Sequence, residues 1–346
     1  GRPSAGNANS GGGSAIDINI LSIWAAGTPP TVFPEGMGRA IKKNQDLTFN
    51  MHFHPNGRAA TDHSKVGIYF GKGTLGKTIV TGFAANIGIL VPAGTDNVES
   101  NASYVFSKDS RIISFFPHMH LRGKDMTYTL TYPDGRREIL LRVPRYDFHW
   151  QWIYYPEMAI EVPRGSRIDL VAHWDNSASN RNNPDPTRTV EFGEGTDAEM
   201  MIGFFDYVVE DPRPPTSSQD KLNNLLAGYP SQSTYTLDLR IGPFPSKYGI
   251  HIPKDGTGTF HIVEGDMQVT ITLRNINWNG SDVTMEGRMV RLPGATFPIG
   301  IRARVSDEGD ISGKIFLGRV PPAGVEPRGP SVPFTGKRWD QPRVNQ

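Results

Sequence analysis

Apolar and polar positions alternate in short runs along most of this chain, a pattern typical of β-strands that bury one face. The clearest run is residues 47–54, where four apolar side chains share one face and His52 and His54 lie on the other. A turn at residues 55–57 separates it from the next predicted strand, at residues 66–70. Similar runs recur to about residue 317, so the sequence predicts an all-β protein.

Length and composition divide the chain into several units. With 346 residues the chain is longer than one ordinary domain, and 38 glycines and 28 prolines favour many turns between short strands. We predict, in order, a flexible arm at 1–14, a partial β-sandwich at 15–107, a second β-sandwich at 108–210, a linker at 211–233, a third β-sandwich at 234–320 and an extended tail at 321–346.

Charge and residue usage exclude several classes of function. The formal net charge is +1 and the basic residues are scattered, so nucleic acid is not an expected partner. No apolar run reaches the length of a membrane span, and the absence of cysteine excludes disulfides and thiolate metal sites. The chain begins with Gly1 and carries no signal peptide, so we expect a processed product or a fragment of a longer protein.

The candidate chemistry centres on His118-Met-His120. In an extended chain, side chains at i and i+2 point the same way, about 5–7 Å apart, so two imidazoles here form half of a metal site. The alternative is that one histidine caps a turn and the other is a solvated strand residue. Downstream, Asp197-Ala-Glu-Met200 adds a methionine near the end of the same predicted unit.

His118-Met-His120, the following Leu-Arg-Gly123 and the Glu-Met200 pair together resemble the catalytic domain of the copper type II, ascorbate-dependent monooxygenases. That family comprises the peptidylglycine α-hydroxylating and dopamine β-monooxygenases. The resemblance spans roughly residues 30–210 and implies two jelly-roll-like β-sandwich domains, here with the first incomplete. It also implies that His118, His120 and Met200 bind the copper at which oxygen is activated.

The proposed ligand set suits copper chemically. Two imidazoles and one thioether form a soft set that stabilises Cu(I), whereas zinc would prefer a third nitrogen, thiolate or carboxylate. Met201 is an alternative to Met200, since strand alternation places only one of the two on the metal face. A methionine in a strand is also commonly a core residue.

The resemblance extends to an electron-transfer copper, which implies a ligand role for His52, with His54 as the alternative on the same face. In the family that copper also binds an adjacent pair of histidines upstream, but residues 1–51 contain no histidine. We therefore expect one complete and one incomplete copper site. Either a preceding segment or a partner chain supplies the missing strands, or the domain is degenerate and keeps one copper or none.

The expected substrate differs from that of the peptide-amidating members. Those enzymes hold a substrate carboxylate with polar residues at the positions of Phe116, Ile202 and Phe204 in this chain. A carboxylate would be left unpaired among these side chains, so the resemblance implies an apolar or aromatic small-molecule substrate.

The sequence thus predicts an exported protein, periplasmic, cell-surface or secreted, that hydroxylates a C–H bond with dioxygen and ascorbate or another one-electron donor. A second hypothesis is a non-catalytic copper-binding or structural module of an extracellular assembly, and a third is copper storage or delivery. Residues 234–346 contain no cluster of metal-ligating residue types, and nothing in the sequence assigns their role.

Overall fold

The computed structural model describes residues 20–25, 28–53, 57–73, 75–210, 215–241, 246–291, 295–318, 320 and 330–340. The protein is nearly all β, which confirms the predicted fold class. The strands before the helix are β1 (Met37–Gly38), β2 (Lys77–Asn86), β3 (Leu90–Val91), β4 (Val98–Val105), β5 (Ser110–His118), β6 (Gly123–Thr131), β7 (Arg137–Val143), β8 (Ile160–Val162), β9 (Arg167–Trp174), β10 (Val190–Glu191) and β11 (Ile202–Val209).

A single α-helix, α1 (Ser218–Leu226), follows within the described ranges. No helix in that part of the chain is both long and apolar enough to cross a membrane. The remaining strands are β12 (Thr234–Asp238), β13 (Lys247–His251), β14 (Gly258–Glu264), β15 (Met267–Asn279), β16 (Asp282–Arg291), β17 (Ala295–Val305), β18 (Asp310–Leu317) and β19 (Ser331–Arg338).

The first eleven strands form a sandwich around one apolar core. One sheet has the order β4-β9-β6-β7, and the facing strands run β2-β11-β5-β8. Inward-facing side chains from both sheets alternate with outward-facing ones, as in β9, where every second residue is buried. The core includes Trp174, Tyr128, Phe115, Phe205 and Leu170. It holds β5 and β11, the strands that carry the candidate site, in a fixed register.

The last eight strands form a closed antiparallel sheet. Each strand from β12 to β19 pairs with its neighbours in sequence, and β19 pairs back onto β12. The sandwich predicted at 234–320 is therefore a single ring of strands, and the predicted tail contributes the strand β19 to it. β15 also pairs with β2 in parallel, so the ring and the sandwich share one continuous sheet.

The predicted boundary at residue 107 does not coincide with a boundary of the core. The apolar cluster of the sandwich runs from Ala84 to Tyr207, because β2 pairs with β11 and β4 pairs with β9. Residues 77–105 therefore supply strands to both sheets of the sandwich. The predicted linker also has structure, since α1 packs its leucines against Val105 and the closed sheet.

The strands predicted at residues 47–54 and 66–70 do not form. Residues 47–53 and 57–70 contain no strand, and their large apolar side chains are 38% to 100% exposed: Leu47, Phe49, Met51, Phe53, Val66, Ile68, Tyr69 and Phe70. An alternating segment becomes a strand only when a neighbouring strand pairs with it, and none in the described residues does. His54 lies outside the described residues.

We expect amide hydrogens of residues 47–53 and 57–70 to exchange rapidly with deuterium, because no ladder hydrogen bonds protect them. Amides of β5, paired on both edges by β11 and β8, should exchange far more slowly. Hydrogen exchange read by mass spectrometry tests the contrast. Strong protection within 47–53 would mean that this segment pairs with another strand in solution.

Candidate metal centre

His118 and His120 lie together at the end of β5. His118 is the last residue of the strand, and Met119 between the two histidines is fully buried in the core. Since successive side chains alternate, the two imidazoles point away from the core on the same side. Their ring centroids are 5.3 Å apart and their planes are nearly perpendicular. Two imidazoles at this separation can share one ion that each binds at about 2.0–2.1 Å.

One ring nitrogen of each histidine already has a protein partner. His118 Nδ1 lies 2.7 Å from Oε1 of Gln151, and His120 Nδ1 lies 3.2 Å from the carbonyl oxygen of Ala198. Both partners accept hydrogen bonds, so each Nδ1 carries the proton and donates it. The lone pair of each Nε2 is thereby left for a ligand, which is the arrangement common to metal-binding histidines.

Burial keeps both rings neutral. It lowers the pKa of His118, an effect that the hydrogen bond to Gln151 opposes and the charge of His52 reinforces. Burial and the neighbouring charge of His118 lower the pKa of His120 to about 4. Imidazoles must be neutral to bind a metal, so the pair is in the correct form near neutral pH.

Glu199 anchors the segment that carries His120. Its side chain is fully buried, and its carboxylate accepts hydrogen bonds from the backbone N–H groups of His120 at 2.9 Å and Arg122 at 2.6 Å, and from the indole of Trp174 at 3.1 Å. Burial raises the pKa of Glu199 to about 7, while these hydrogen bonds and the charge of Arg122 favour the ionised form. The contacts tie the His120 turn to the segment that leads through Met200 into β11.

Arg122 extends this buried polar network. Its Nε donates to Oδ1 of Asn176 at 2.9 Å, and its Nη1 donates to the carbonyl oxygen of Asp197 at 3.0 Å. The amide of Asn176 in turn donates to the backbone carbonyls of Val91, Pro92 and Arg188. Four separate loops are therefore joined behind the histidine pair.

The turn after the histidines requires glycine at position 123. A Cβ atom there would lie 2.7 Å from Cβ of Met119 and 2.8 Å from the ring of Tyr146. The phenol of Tyr146 also donates to the carbonyl oxygen of Met119 at 2.6 Å and accepts from its N–H at 3.1 Å. This close packing explains why the Leu-Arg-Gly sequence follows the histidines.

The two methionines considered as ligands differ in burial. Met201 is fully buried in the sandwich core, whereas Met200 is partly exposed at its edge. Ile202 lies directly opposite His118 in the pairing of β11 with β5. Met200 precedes the start of β11 by two residues, and its role as a ligand stays a prediction.

His52 lies in the unpaired segment and is exposed. A positive charge on His52 would lower the pKa of both His118 and His120. Within the described part of the chain, no three histidine, cysteine, aspartate or glutamate side chains gather closely enough to hold a metal ion. An ion at the histidine pair would therefore need a different third ligand, and a thioether meets that need.

The three predicted substrate-contacting residues share the outer face of the sheet with His118. Phe116 lies opposite Phe204 and Ile202 lies opposite His118. The ring of Phe116 stacks on the ring of His118, with centroids 6.3 Å apart, and contacts Phe204 at 6.1 Å. The residues predicted from sequence thus form one aromatic surface beside the histidine pair.

Sequence reasoning did not assign roles to Gln151, Tyr146, Asn176 or Glu199. The first two lie in the aromatic-rich segment 146–155, whose Phe148 also contacts the ring of His120, with centroids 6.1 Å apart. Glu199 and Arg122 were part of the motif that carried the resemblance, but their buried hydrogen bonds appear only in the folded chain.

Comparison with known proteins leaves the chain without an assigned relative. No known family model matches it, and no curated protein matches it.

We expect the substitution Glu199→Ala to lower the free energy of unfolding by about 3–5 kcal/mol, because it leaves three N–H donors unpaired and Arg122 buried without its counter-charge. Urea unfolding followed by tryptophan fluorescence measures the loss. Glu138→Ala is the matched control, since Glu138 is exposed and its contacts to Tyr132 and Arg136 should contribute no more than about 1 kcal/mol. Equal losses in the two variants would contradict the anchoring role of Glu199.

Proposed function

We propose that this protein is a copper-dependent monooxygenase that hydroxylates a C–H bond of an apolar or aromatic small molecule, with dioxygen and a one-electron donor such as ascorbate. The observation that carries the proposal is the pair of neutral imidazoles, His118 and His120, whose ring centroids lie 5.3 Å apart and whose Nδ1 atoms are held by acceptors. An aromatic surface adjoins the pair.

The available donors fit copper. His118, His120 and Met200 would hold the ion, with two nitrogens and one sulfur, a set that favours Cu(I) and leaves a position open. When bound, copper supplies the one-electron redox chemistry by which dioxygen is activated. The buried carboxylate of Glu199 does not compete as a ligand, because its oxygens already accept three hydrogen bonds.

The chain's own residues orient and shield the reacting groups. Gln151 and Ala198 fix the rotation of the two rings, and the hydrogen bonds of Glu199 fix the backbone beneath His120. Phe204, which is partly exposed beside the buried Phe116, offers an apolar wall on which a substrate carbon can lie close to His118 while water is excluded.

The proposal includes an incomplete second site. His52 would contribute one ligand to an electron-transfer copper, with the others supplied by a preceding segment or a partner chain. Activity outside the cytoplasm, as the resemblance implies, belongs to the same proposal.

A second candidate function is a non-catalytic module of an extracellular assembly. The observation that favours it is the set of eight exposed large apolar side chains between residues 47 and 70. Such a surface is typical of an interface, and a covering β-segment from another part of the protein or from a partner would bury it.

The Met200→Ala variant tests the proposal. We expect anaerobically reduced protein to bind one Cu(I), with sulfur scattering in the X-ray absorption spectrum that disappears in this variant. Met158→Ala is the matched control, because Met158 is 82% exposed and far from the core. It should leave the spectrum unchanged.

Ascorbate-dependent oxygen consumption is then measured on the copper-loaded protein with aromatic substrates. We expect consumption in the unaltered chain and its loss in His118→Ala. If the protein binds no copper, or if the Met200→Ala variant gives the same copper spectrum as the unaltered chain, the monooxygenase proposal is rejected and the non-catalytic function remains.

A further inference from the structure

Three successive pairs of directly opposed residues, here called rungs, lie on the outer face of β5 and β11. In the register of the two strands His118 lies opposite Ile202, Phe116 opposite Phe204, and Ser114 opposite Asp206. Directly opposed residues and alternate residues share a face, so all six side chains lie on one surface. At about 3.4 Å per residue, the rung of Asp206 lies about 13 Å along β5 from the rung of His118.

A recess lies at the end of this surface farthest from the histidines. It is lined by Arg39, Asp206, Ser114, Phe116 and Phe204 and has a volume of about 30 Å³. That volume accommodates a head group of a few non-hydrogen atoms but not a whole ligand. The two phenylalanines that form its apolar wall are the same ones that adjoin His118.

Arg39 brings unused hydrogen-bond donors to the recess. The short strand β1 places it beside β2, and its side chain is only 8% exposed. Its Nη2 donates to Oδ1 of Asp206 at 2.7 Å, while its Nε and Nη1 are buried without a hydrogen-bond partner in the described structure. An unsatisfied buried donor destabilises the folded chain, so a ligand that accepts from Arg39 would remove this cost.

The charges in the recess cancel. Arg39 and Asp206 form an ion pair, and Thr81 also donates to Oδ1 of Asp206 at 2.7 Å. A carboxylate or ammonium head would add an uncompensated charge to a largely buried pair, which is costly. A neutral head group that accepts from Arg39 and donates to Asp206, such as a hydroxyl or a primary amide, adds none.

We infer that the recess binds the neutral polar head of an elongated substrate, a hydroxyl or a primary amide. The apolar body then lies over Phe116 and Phe204. The inference rests on the proposed function only for the far end of that body, which reaches His118 two rungs away. The substrate class is therefore a neutral amphiphile with an aromatic or alkyl body on the order of 10 Å long.

Three probes that share one body test the choice of head group: phenylbutanamide, phenylbutanoate and phenylbutylamine. Their affinities are measured by ligand-observed NMR on the metal-free full chain. We expect the amide to bind about tenfold more tightly than either charged probe.

Two variants should change this ranking in opposite directions. Asp206→Asn leaves Arg39 uncompensated, so phenylbutanoate should become the tightest ligand. Arg39→Gln leaves Asp206 uncompensated, so phenylbutylamine should become the tightest. The amide oxygen in Asp206→Asn can still accept from Arg39 and Thr81, so this variant tests the charge even where Arg39→Gln impairs folding.

The ion pair between Arg304 and Asp282 provides matched controls. It is exposed, with an Nε to Oδ1 distance of 2.8 Å, and lies on the closed sheet. Arg304→Gln and Asp282→Asn should keep the ranking of the unaltered chain.

Three results would overturn the inference: no binding of any probe, equal binding of all three, or a ranking that Asp206→Asn leaves unchanged. Because the measurement uses metal-free protein, these failures do not touch the copper proposal. If the protein binds no copper, the affinities of the three probes still test the recess.

Discussion

The carboxylate of Glu199, fully buried and bonded to the backbone of His120 and Arg122, joins two chain segments that are nearly eighty residues apart. A carboxylate in such a place is stable only when its oxygens are satisfied by good donors, and here three N–H groups supply them. The position of the second histidine, the path of the turn to Gly123 and the approach of the Met200 segment all follow from this set of contacts. The candidate site is thus held by a buried polar network rather than by the strands alone.

Successive side chains along a strand alternate between the sandwich core and the outer face, so structural residues and candidate-site residues lie on opposite faces. Met119 and Met201 are fully buried in the sandwich core, while His118 and His120 on either side of Met119 lie close to each other outside that cluster. The core side is close-packed and resists change of volume, so it keeps the histidine rings at a constant separation. The outer side carries imidazole, aromatic and charged groups in succession along β5 and β11. His118 lies at one end of this surface and Asp206 at the other, polar end.

The parts of the chain outside the sandwich act on this surface in different ways. The segment that contains β1 lays Arg39 against Asp206 and closes the polar end. The closed sheet of β12 to β19 is joined to the sandwich by the pairing of β15 with β2. The Gln268 side chain strengthens this junction, because its amide oxygen accepts from the N–H of Val105 and its amide nitrogen donates to the carbonyl oxygen of Val105. Residues 47–53 and 57–70 remain exposed, because an amphipathic strand is stable only beside a partner strand.

The sequence by itself determined the all-β class, from its alternation and its turn residues, and the closeness of His118 and His120, from their spacing. Both are local properties, set by a two-residue period that any extended chain obeys. It also placed Phe116, Ile202 and Phe204 on one surface, through the resemblance. Only the tertiary structure decided that residues 77–105 belong to the second sandwich and that the last strands close into a ring. Only it shows that Met201 is fully buried whereas Met200 is partly exposed, because burial depends on which face the core covers. The roles of Glu199, Gln151 and Arg39 likewise arise from contacts between residues tens to more than a hundred positions apart, which no local pattern encodes.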